Sequence, residues 1–327
     1  MHTDLLALLR CPQTGAPLDL QSPEYENGRV RAGVLVSREK GTSYPIRDFI
    51  PRFVPPSNYA DNFGMQWNLF RQTQLDSYSG LSISADRFWK ATGWTPAALA
   101  GQWVLDCGCG AGRFAEVALE AGARVIALDY SSAADACYAN LKHHPNLHVV
   151  QGDIYALPFA QRQFPFVYSL GVLQHTPDVA RAFAALPAMV APGGRLCADF
   201  YQRSWKSWVW PKYWLRPFTK RMSQKDLFER LQRMVPGLLR VSRGLQRIPI
   251  VGSSVKHLVP VANYHGVYPL NHEQLKEWAL LDTFDMFAPK FDSPQTPKAV
   301  LKLLRDAGLE EPEVLKAGHL VGRGRRA

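Results

Sequence analysis

Three glycines, Gly108, Gly110 and Gly112, alternate with other residues directly after Cys107, and Asp106 precedes them. The apolar residues on either side indicate a strand, a glycine turn and a helix. Glycine has no Cβ, so the backbone can take positive φ and a ligand can lie directly against it. At a helix N-terminus, unpaired backbone N–H groups point outward. The stretch therefore predicts a nucleotide-binding turn.

The glycine spacing and the acid indicate which nucleotide is bound. The dinucleotide fingerprint is G-x-G-x-x-G, whereas this run is G-x-G-x-G. An acid at the position of Asp106 would repel a pyrophosphate. It suits a ligand with a cationic amino group, such as the methionine part of S-adenosylmethionine (SAM). We therefore expect SAM rather than NAD.

Later segments occur in the order typical of class I SAM-dependent methyltransferases, and the chain resembles that family over roughly residues 100 to 200. The segments are residues 124–130, 148–154, 166–175 and 192–196. The resemblance implies a Rossmann-like core and SAM as cofactor. The implied cofactor-binding residues are Asp106, Gly108, Cys109, Gly110, Gly112, Asp129, Tyr130, Asp153, Ile154 and Leu170.

Two strand-end acids have specific expected roles. Asp129 lies past the glycines at the spacing at which an acid can bond ribose hydroxyls. The resemblance implies that Asp153 takes the adenine amino group and that Ile154 packs on the ring. Each acid has a simpler alternative, since a strand-end aspartate also serves as a helix N-cap.

The first 55 residues indicate a separate module. The stretch Cys11-Pro12-Gln13-Thr14 resembles the first knuckle of a Trm112-like zinc ribbon, but Thr14 stands where the second cysteine belongs. No cysteine follows before Cys107, so four zinc ligands cannot be assembled in this way. We expect a zinc-ribbon-like module without its metal. It serves either as a lid or docking module or as a structural remnant.

The predicted fold is α/β, with a doubly wound seven-stranded sheet and helices on both faces. The predicted domains are the module at 1–55, a linker and cap helices at 56–100, the SAM-binding core at 101–201, a mainly helical insertion at 202–290, and a C-terminal segment at 291–327. In the cap, Tyr59, Gln66 and Trp67 are candidates to face the cofactor. Residues 296–308 predict an amphipathic helix and residues 313–322 the final strand.

Composition restricts the class of protein. The 327 residues carry a formal net charge of +10 and five cysteines. An odd cysteine count, with two cysteines inside the glycine turn, argues against a secreted disulfide framework. There is no signal-peptide pattern and no apolar run long enough to span a membrane. These features predict a cytoplasmic protein; the oligomeric state is not predictable.

The insertion concentrates basic and aromatic residues. Its aromatic residues include Trp205, Trp208, Trp210, Tyr213, Trp214 and Phe218, and its basic residues include Lys206, Lys212, Arg216, Lys220 and Arg221. Ser223 and Asp226 predict the start of an amphipathic helix. Three interpretations remain open: contact with an anionic membrane surface, single-stranded nucleic acid, or a solvated basic face. No RNA-binding motif is recognisable, which disfavours nucleic acid.

The reaction requires an aligned acceptor and, for a hydroxyl, a base. His175 follows the fourth strand of the core, where doubly wound folds bind ligands, and is the candidate base. It could instead only bond a backbone carbonyl. Asp282 and Asp285 are candidates to hold acceptor hydroxyls or act as a base, unless arginines pair with them.

The acceptor is predicted in broad terms. The family's N-P-P-Y signature for amino acceptors is replaced by Leu173-Gln174-His175-Thr176, which favours oxygen or carbon acceptors. O-methylation of a sugar, a lipid-linked glycan or another small molecule is the first hypothesis. C-methylation of a prenylated quinone is the second, because residues 171–175 also resemble enzymes of that kind. A SAM-binding or RNA-binding accessory subunit without turnover is the third.

Overall fold

The computed structural model describes residues 1–55, 58, 60–203 and 210–327. The predicted cofactor-facing residue Tyr59 and the insertion residues Trp205, Lys206 and Trp208 lie outside the described residues. The domain limits proposed above stay predictions, and the elements below are given as the structure has them.

The N-terminal module is a 3-10 helix at Thr3–Ala7 followed by an antiparallel sheet. Its strands, in spatial order, are β1 (Leu18–Glu26), β2 (Arg29–Ser37), β3 (Ser43–Arg47) and β4 (Ile50–Pro51). Cys11 Sγ lies 3.2 Å from the Tyr44 hydroxyl inside this module, and both side chains are buried. The absence of a zinc site stays a prediction.

The module packs onto the large sheet through a shared apolar core. Leu5, Leu9 and Leu35 of the module belong to the same buried cluster as Leu105 and Val150 of the sheet. Burying this much apolar surface is the main stabilising contribution available to so small a module. The contact therefore fixes the module to the rest of the chain, whether or not it has a further role.

The cap between the two sheets is helical, as predicted. It contains α1 (Asp61–Leu69), α2 (Asp76–Ser79), α3 (Ile83–Thr92) and α4 (Pro96–Leu99). Gly64 of α1 packs so closely on Ser132 that a Cβ would lie 2.3 Å from the serine Oγ. This close approach lays α1 over the core at Ser132.

The core alternates strands and helices. Its elements are β5 (Trp103–Cys107), α5 (Arg113–Glu120), β6 (Arg124–Asp129), α6 (Ala133–Leu141), β7 (Leu147–Gln151), β8 (Phe164–Ser169), α7 (Val179–Ala185) and β9 (Val190–Phe200). A 3-10 helix at Leu173–His175 follows β8. The five strands pair in parallel, so their carboxyl ends meet at one edge, where such folds bind ligands.

The insertion is helical, as predicted. It contains α8 (Pro211–Thr219), α9 (Gln224–Gln246), α10 (Gly252–Val255) and α11 (His272–Phe287). Ser223 caps α9 by accepting a hydrogen bond from the Asp226 backbone N–H, which confirms the predicted helix start. Among the described residues, no helix combines the length and apolar character needed to cross a membrane.

The C-terminal segment completes the sheet, with one correction to the prediction. Helix α12 (Pro297–Asp306) occurs as expected. The single final strand predicted at residues 313–322 is wrong, because two strands are present, β10 (Leu309–Ala317) and β11 (His319–Arg326). Gly318, with φ of 77°, makes the tight turn between them. The seven-stranded sheet, in the order β10-β11-β9-β8-β5-β6-β7, is confirmed.

Candidate active site

The glycine turn lies at the carboxyl end of β5, and its glycines are needed for close packing. Gly108, Gly110 and Gly112 all have positive φ. A Cβ on Gly108 would lie 2.4 Å from Val172 Cγ2, and one on Gly112 would lie 2.6 Å from Leu141 Cδ1. A larger residue at either position would collide with the loop after β8 or with α6.

The expectation of free backbone N–H groups at this turn is wrong for three of its residues. The N–H groups of Gly108 and Cys109 donate to the Leu128 carbonyl at 2.7 and 3.0 Å. The Gly110 N–H donates to Asp129 Oδ2 at 2.9 Å. The Cys109 side chain is buried in the core. The turn therefore ties β5 to β6, and the nearby acidic side chains are the next candidates to bind a ligand.

Asp106 is one of these acids and is almost fully buried. Its Oδ2 has no hydrogen-bond partner among the described residues. Burial raises the pKa of Asp106 to about 8. The nearby Tyr168 hydroxyl opposes this rise only in part. A buried carboxylate is costly unless a cation compensates it. A cationic ammonium group would do so, which fits the predicted contact with the amino group of SAM.

Asp129 holds the end of β6 onto the glycine turn. Its Oδ1 accepts from the Ser131 N–H at 2.8 Å and from the Ser131 hydroxyl at 2.7 Å. With the bond from Gly110 and a further one from the Tyr130 backbone N–H, the carboxylate is held by four donors. A ribose hydroxyl would therefore share the carboxylate with these donors.

The remaining predicted cofactor residues lie on the same side of the sheet. Asp153 Oδ1 accepts from the Tyr155 N–H at 2.9 Å. The Gly152 N–H donates to the Asp129 carbonyl at 2.9 Å, which brings the Asp153 turn beside the β6 turn. Of the other three, Tyr130 follows β6 and is partly exposed, and Ile154 and Leu170 are buried.

Helix α1 crosses this edge of the sheet. The Phe63 ring lies 5.3 Å from the His175 ring, and a Cβ on Gly110 would lie 3.2 Å from the Trp67 indole. Trp67 therefore packs on the glycine turn, and Gln66 is buried with an Oε1 that has no partner among the described residues. Asn62, which was not predicted, likewise has a buried Nδ2 without a partner in the part of the chain that the structure describes. The helix thus adds polar groups to a site it also shields from water.

His175 is buried and its orientation is fixed. Its Nδ1 lies 3.2 Å from the Phe291 carbonyl oxygen. A carbonyl can only accept, so Nδ1 carries the hydrogen and donates it. In the neutral imidazole, the lone pair is then on Nε2. His175 therefore bonds a backbone carbonyl, which was the alternative to a base role. Because that bond uses Nδ1, Nε2 can still act as a base.

Tyr201 brings two of the predicted catalytic residues together. Its ring lies 5.3 Å from the His175 ring, edge to face. Its hydroxyl donates to Asp285 Oδ2 at 3.1 Å. The Lys212 ammonium lies 5.0 Å from the same ring. Local spacing offers no signal for this cluster, because Tyr201 and Asp285 are 84 residues apart.

Asp282 lies one helical turn before Asp285 and has different partners. It accepts hydrogen bonds from Gln74 Nε2 at 3.1 Å and from the Tyr264 hydroxyl. Burial, with a further contribution from the nearby Asp285 carboxylate, raises the pKa of Asp282 to about 6. Asp282 and Asp285 are therefore neighbours on one helix but belong to two different hydrogen-bond clusters.

Arg113 reaches the same region from α5. Its Nη1 donates to Gln74 Oε1 at 2.9 Å, and Gln74 in turn donates to Asp282. The arginine pairing considered for Asp282 is therefore indirect, through an amide. Burial, followed by the charge of Arg87, lowers the pKa of Arg113 to about 10. Arg113 was not predicted as a site residue.

Gln174 was also missed. It is fully buried beside His175, and neither of its side-chain polar atoms has a partner among the described residues. Buried amides are normally hydrogen-bonded, so Gln174 is a candidate to bond a ligand. The only signal in the sequence is its position in the segment that replaces N-P-P-Y.

Comparison with known proteins finds matches to two parts of the chain. Residues 105–198 match the methyltransferase domain family, and residues 2–48 match the Trm112p-like protein family. A demethylmenaquinone methyltransferase of Thermobifida fusca is 37% identical over 36% of this chain and 51% of its own length. A ubiquinone biosynthesis O-methyltransferase of Albidiferax ferrireducens is 36% identical over 34% of this chain and 46% of its own length. The chain spans about half the length of these relatives.

Similarity to solved structures is weak in sequence. A putative SAM-dependent methyltransferase from Methanococcus maripaludis has a TM-score of 0.45 and 13% identity, over 84% of this chain and 97% of its own. Human N-acetylserotonin methyltransferase, solved with SAM, has a TM-score of 0.44 and 13% identity, over 84% and 60%. Residues 105–198 are therefore similar to methyltransferase domains, and residues 2–48 are similar to Trm112p-like proteins.

Proposed function

We propose that this protein transfers a methyl group from SAM to a ring hydroxyl of a small quinone-type acceptor. The observation that carries the proposal is the fixed orientation of His175, whose Nδ1 faces the Phe291 carbonyl at 3.2 Å. The names of the two relatives above support a quinone-type acceptor. SAM supplies an activated methyl group and its own leaving group, so no covalent nucleophile is required of the protein.

In this proposal, the acids at the carboxyl edge of the sheet hold the cofactor. Asp106 faces its cationic amino group, Asp129 its ribose and Asp153 its adenine. The unpartnered Asp106 Oδ2 supports the first of these roles. Helix α1 covers the edge through Phe63 and Trp67 and so excludes water, which strengthens the electrostatic interactions beneath it.

His175 acts as the general base. As the acceptor oxygen is methylated, the hydroxyl proton passes to His175 Nε2. The hydrogen bond to the Phe291 carbonyl keeps Nδ1 protonated. The resulting imidazolium lies near Tyr201, whose hydroxyl is bonded to Asp285. Asp285 therefore positions Tyr201 and lowers the energy of the charged histidine. Asp282 and Gln174 are the groups proposed to orient the acceptor.

Methylation of a ring carbon is the second candidate, since one relative is a demethylmenaquinone methyltransferase. Removal of a ring hydroxyl proton by His175 would activate the neighbouring carbon in the same site. The predicted sugar or glycan acceptor has no counterpart in the names of these relatives and stays a prediction.

We also propose that the insertion contacts an anionic membrane surface. Trp214 and Phe218 of α8 are each 69% exposed, and Ile250 is fully exposed. The exposed Lys220 and Arg221 follow directly and suit anionic headgroups. Lys212 and Arg216, which the sequence analysis included among the basic residues of the insertion, are not part of this surface. Both are buried against Asp292.

Vesicle flotation tests this surface. Wild-type protein should float with phosphatidylglycerol vesicles and not with phosphatidylcholine vesicles. Binding should be lost in Trp214→Ala/Phe218→Ala and weakened by salt. Tyr25→Ala is the control, because Tyr25 is an exposed aromatic of the N-terminal module. Equal binding by the double variant and the control would remove the proposal.

Methyl-labelled SAM tests the reaction. The protein is incubated with quinone-type acceptors that carry a free ring hydroxyl, and the products are located by mass spectrometry. A labelled methyl ether supports the first candidate and a labelled ring carbon supports the second. His175→Ala should reduce turnover by about 10² to 10⁴, whereas His143→Ala, at an exposed histidine, should not. Binding of S-adenosylhomocysteine (SAH) without any product would favour the accessory-subunit hypothesis.

A further inference from the structure

A cavity of about 170 Å³ lies between α9 and α11, outside the cluster formed by His175, Tyr201 and Asp285. Five basic side chains, the histidines included, line it, and none of the lining residues described is acidic. The five are Arg240, Arg243, His265, His272 and Lys276. Local charge of one sign in a concave site attracts a ligand of the opposite sign.

The helical spacing explains how these side chains converge. Arg240 and Arg243 are three residues apart on α9, and His272 and Lys276 are four apart on α11, so each pair shares one helix face. His265 enters from the loop between the helices. The Arg243 guanidinium donates to His265 Nε2 at 3.0 Å, and Gln246 Nε2 donates to the His265 carbonyl at 3.1 Å. The loop is therefore held against α9.

The balance of charge in the cavity is positive. Lys276 has a partner at the rim, since its ammonium lies 2.9 Å from Glu273 Oε1. Arg243 donates to a neutral imidazole rather than to a carboxylate. Burial, followed by the positive charges of Arg243, Arg247 and His272, lowers the pKa of His265. Two guanidinium groups on one helix face match the geometry of phosphate oxygens, which arginine can bind in a bidentate manner.

We propose that this cavity binds the phosphate or diphosphate group of a small molecule. Tyr264 lines the cavity, and its hydroxyl donates to Asp282. The phosphate site therefore adjoins the proposed acceptor site across a single tyrosine. Phosphate binding there does not depend on methyl transfer, so it is measured without turnover.

The test is calorimetric titration with inorganic pyrophosphate at pH 7. Arg240→Gln/Arg243→Gln should raise the dissociation constant at least about tenfold. Arg230→Gln/Arg233→Gln is the matched control, because it removes two charges from α9 at positions that do not line the cavity. Melting temperatures of both variants show that each is folded.

A second titration uses soluble short-chain phosphatidic acid and distinguishes a lipid headgroup from a free phosphate compound. Binding of pyrophosphate that depends on Arg240 and Arg243 supports a soluble phosphorylated ligand. Binding of phosphatidic acid alone, with the same dependence, supports a lipid headgroup. If neither compound binds, or if both double variants weaken binding equally, the proposal is wrong. None of these results depends on whether the methyltransferase reaction is assigned correctly.

Discussion

The hydroxyl of Tyr201 donates a hydrogen bond to Asp285 Oδ2 at 3.1 Å, joining the end of β9 to helix α11. The same tyrosine ring faces His175 at 5.3 Å. Burial, followed by the charge of Asp285, raises the pKa of Tyr201 far above its usual value, so the phenol stays protonated and donates. The insertion is thereby tied to the candidate base through one side chain.

Tyr201→Phe should lower turnover and leave SAH affinity unchanged. The substitution removes a hydrogen bond to a charged group, which contributes about 1.5–3 kcal/mol. If that bond supports the imidazolium of His175, kcat should fall by about 10- to 100-fold. Tyr155→Phe is the control, since the Tyr155 hydroxyl bonds the backbone of Asp178 instead. Equal effects of the two substitutions on kcat would contradict the assignment.

Binding of SAH should release a proton that comes from Asp106. Burial raises the pKa of this carboxyl to about 8, so it is mainly protonated at pH 7. A cationic amino group beside it favours the carboxylate, and about one proton should be released per ligand bound. Titrations in PIPES and in imidazole should differ in enthalpy because these buffers take up protons with different heats. Asp106→Asn should remove this difference; if it persists unchanged, another group releases the proton.

The placement of the predicted cofactor residues at one edge of the sheet was predictable because its signals are local. The glycines, Asp106 and the ends of β6 and β7 each lie within a few residues of a recognisable strand. The free N–H groups expected at the turn were wrong, because Leu128 and Asp129 of the neighbouring strand accept those hydrogen bonds. Such pairing depends on the sheet and is not visible in the turn itself.

The acceptor half was less predictable because its contacts are distant in sequence. Asp285 was named as a candidate, but its donor Tyr201 was not, and neither was the link from Asp282 through Gln74 to Arg113. One strand was predicted where the structure has two, because the turn between them consists of Gly318 alone and the residues on both sides fit a single strand. A turn of one glycine leaves little trace in hydrophobic alternation.

Gly110→Ala should weaken SAH binding more than the same substitution at a positive-φ glycine that has no close neighbour. The new Cβ would lie 3.2 Å from the Trp67 indole, so the indole would have to shift by a few tenths of an ångström. Gly122→Ala is the control, because Gly122 also has positive φ, 80° against 53° at Gly110, while its Cβ finds nothing closer than 3.7 Å. Both should cost about 1 kcal/mol of stability. Only Gly110→Ala should raise the SAH dissociation constant, by about tenfold. A similar rise in both would show that Trp67 does not matter.

The stability of the protein should depend on pH through Asp282. Its pKa rises from 3.8 to about 6 on folding, because burial and the nearby Asp285 disfavour the carboxylate. A carboxyl with a raised pKa contributes stability that is full below about pH 4 and lost as the pH rises through 6. Asp282→Asn should therefore gain stability relative to wild type between pH 5 and pH 7.5, by about 1–3 kcal/mol. Urea unfolding at both pH values measures this, with Asp86→Asn as the exposed control. A constant difference across this range would contradict it.

Lys212→Met should destabilise the insertion and leave its surface charge nearly unchanged. The Lys212 ammonium lies 2.7 Å from Asp292 Oδ2, and the Asp292 side chain is only 2% exposed. Loss of one partner leaves a buried carboxylate whose remaining ion-pair partner, among the described residues, is Arg216 at 3.9 Å. Breaking such a pair costs about 3 kcal/mol, whereas Lys220→Met, at an exposed position one residue past α8, should cost less than about 0.5 kcal/mol. Urea midpoints of the two variants measure the difference. Equal midpoints would mean that Lys212 is not a buried ion-pair partner. Its charge would then belong to the exposed basic surface that is proposed to contact the membrane.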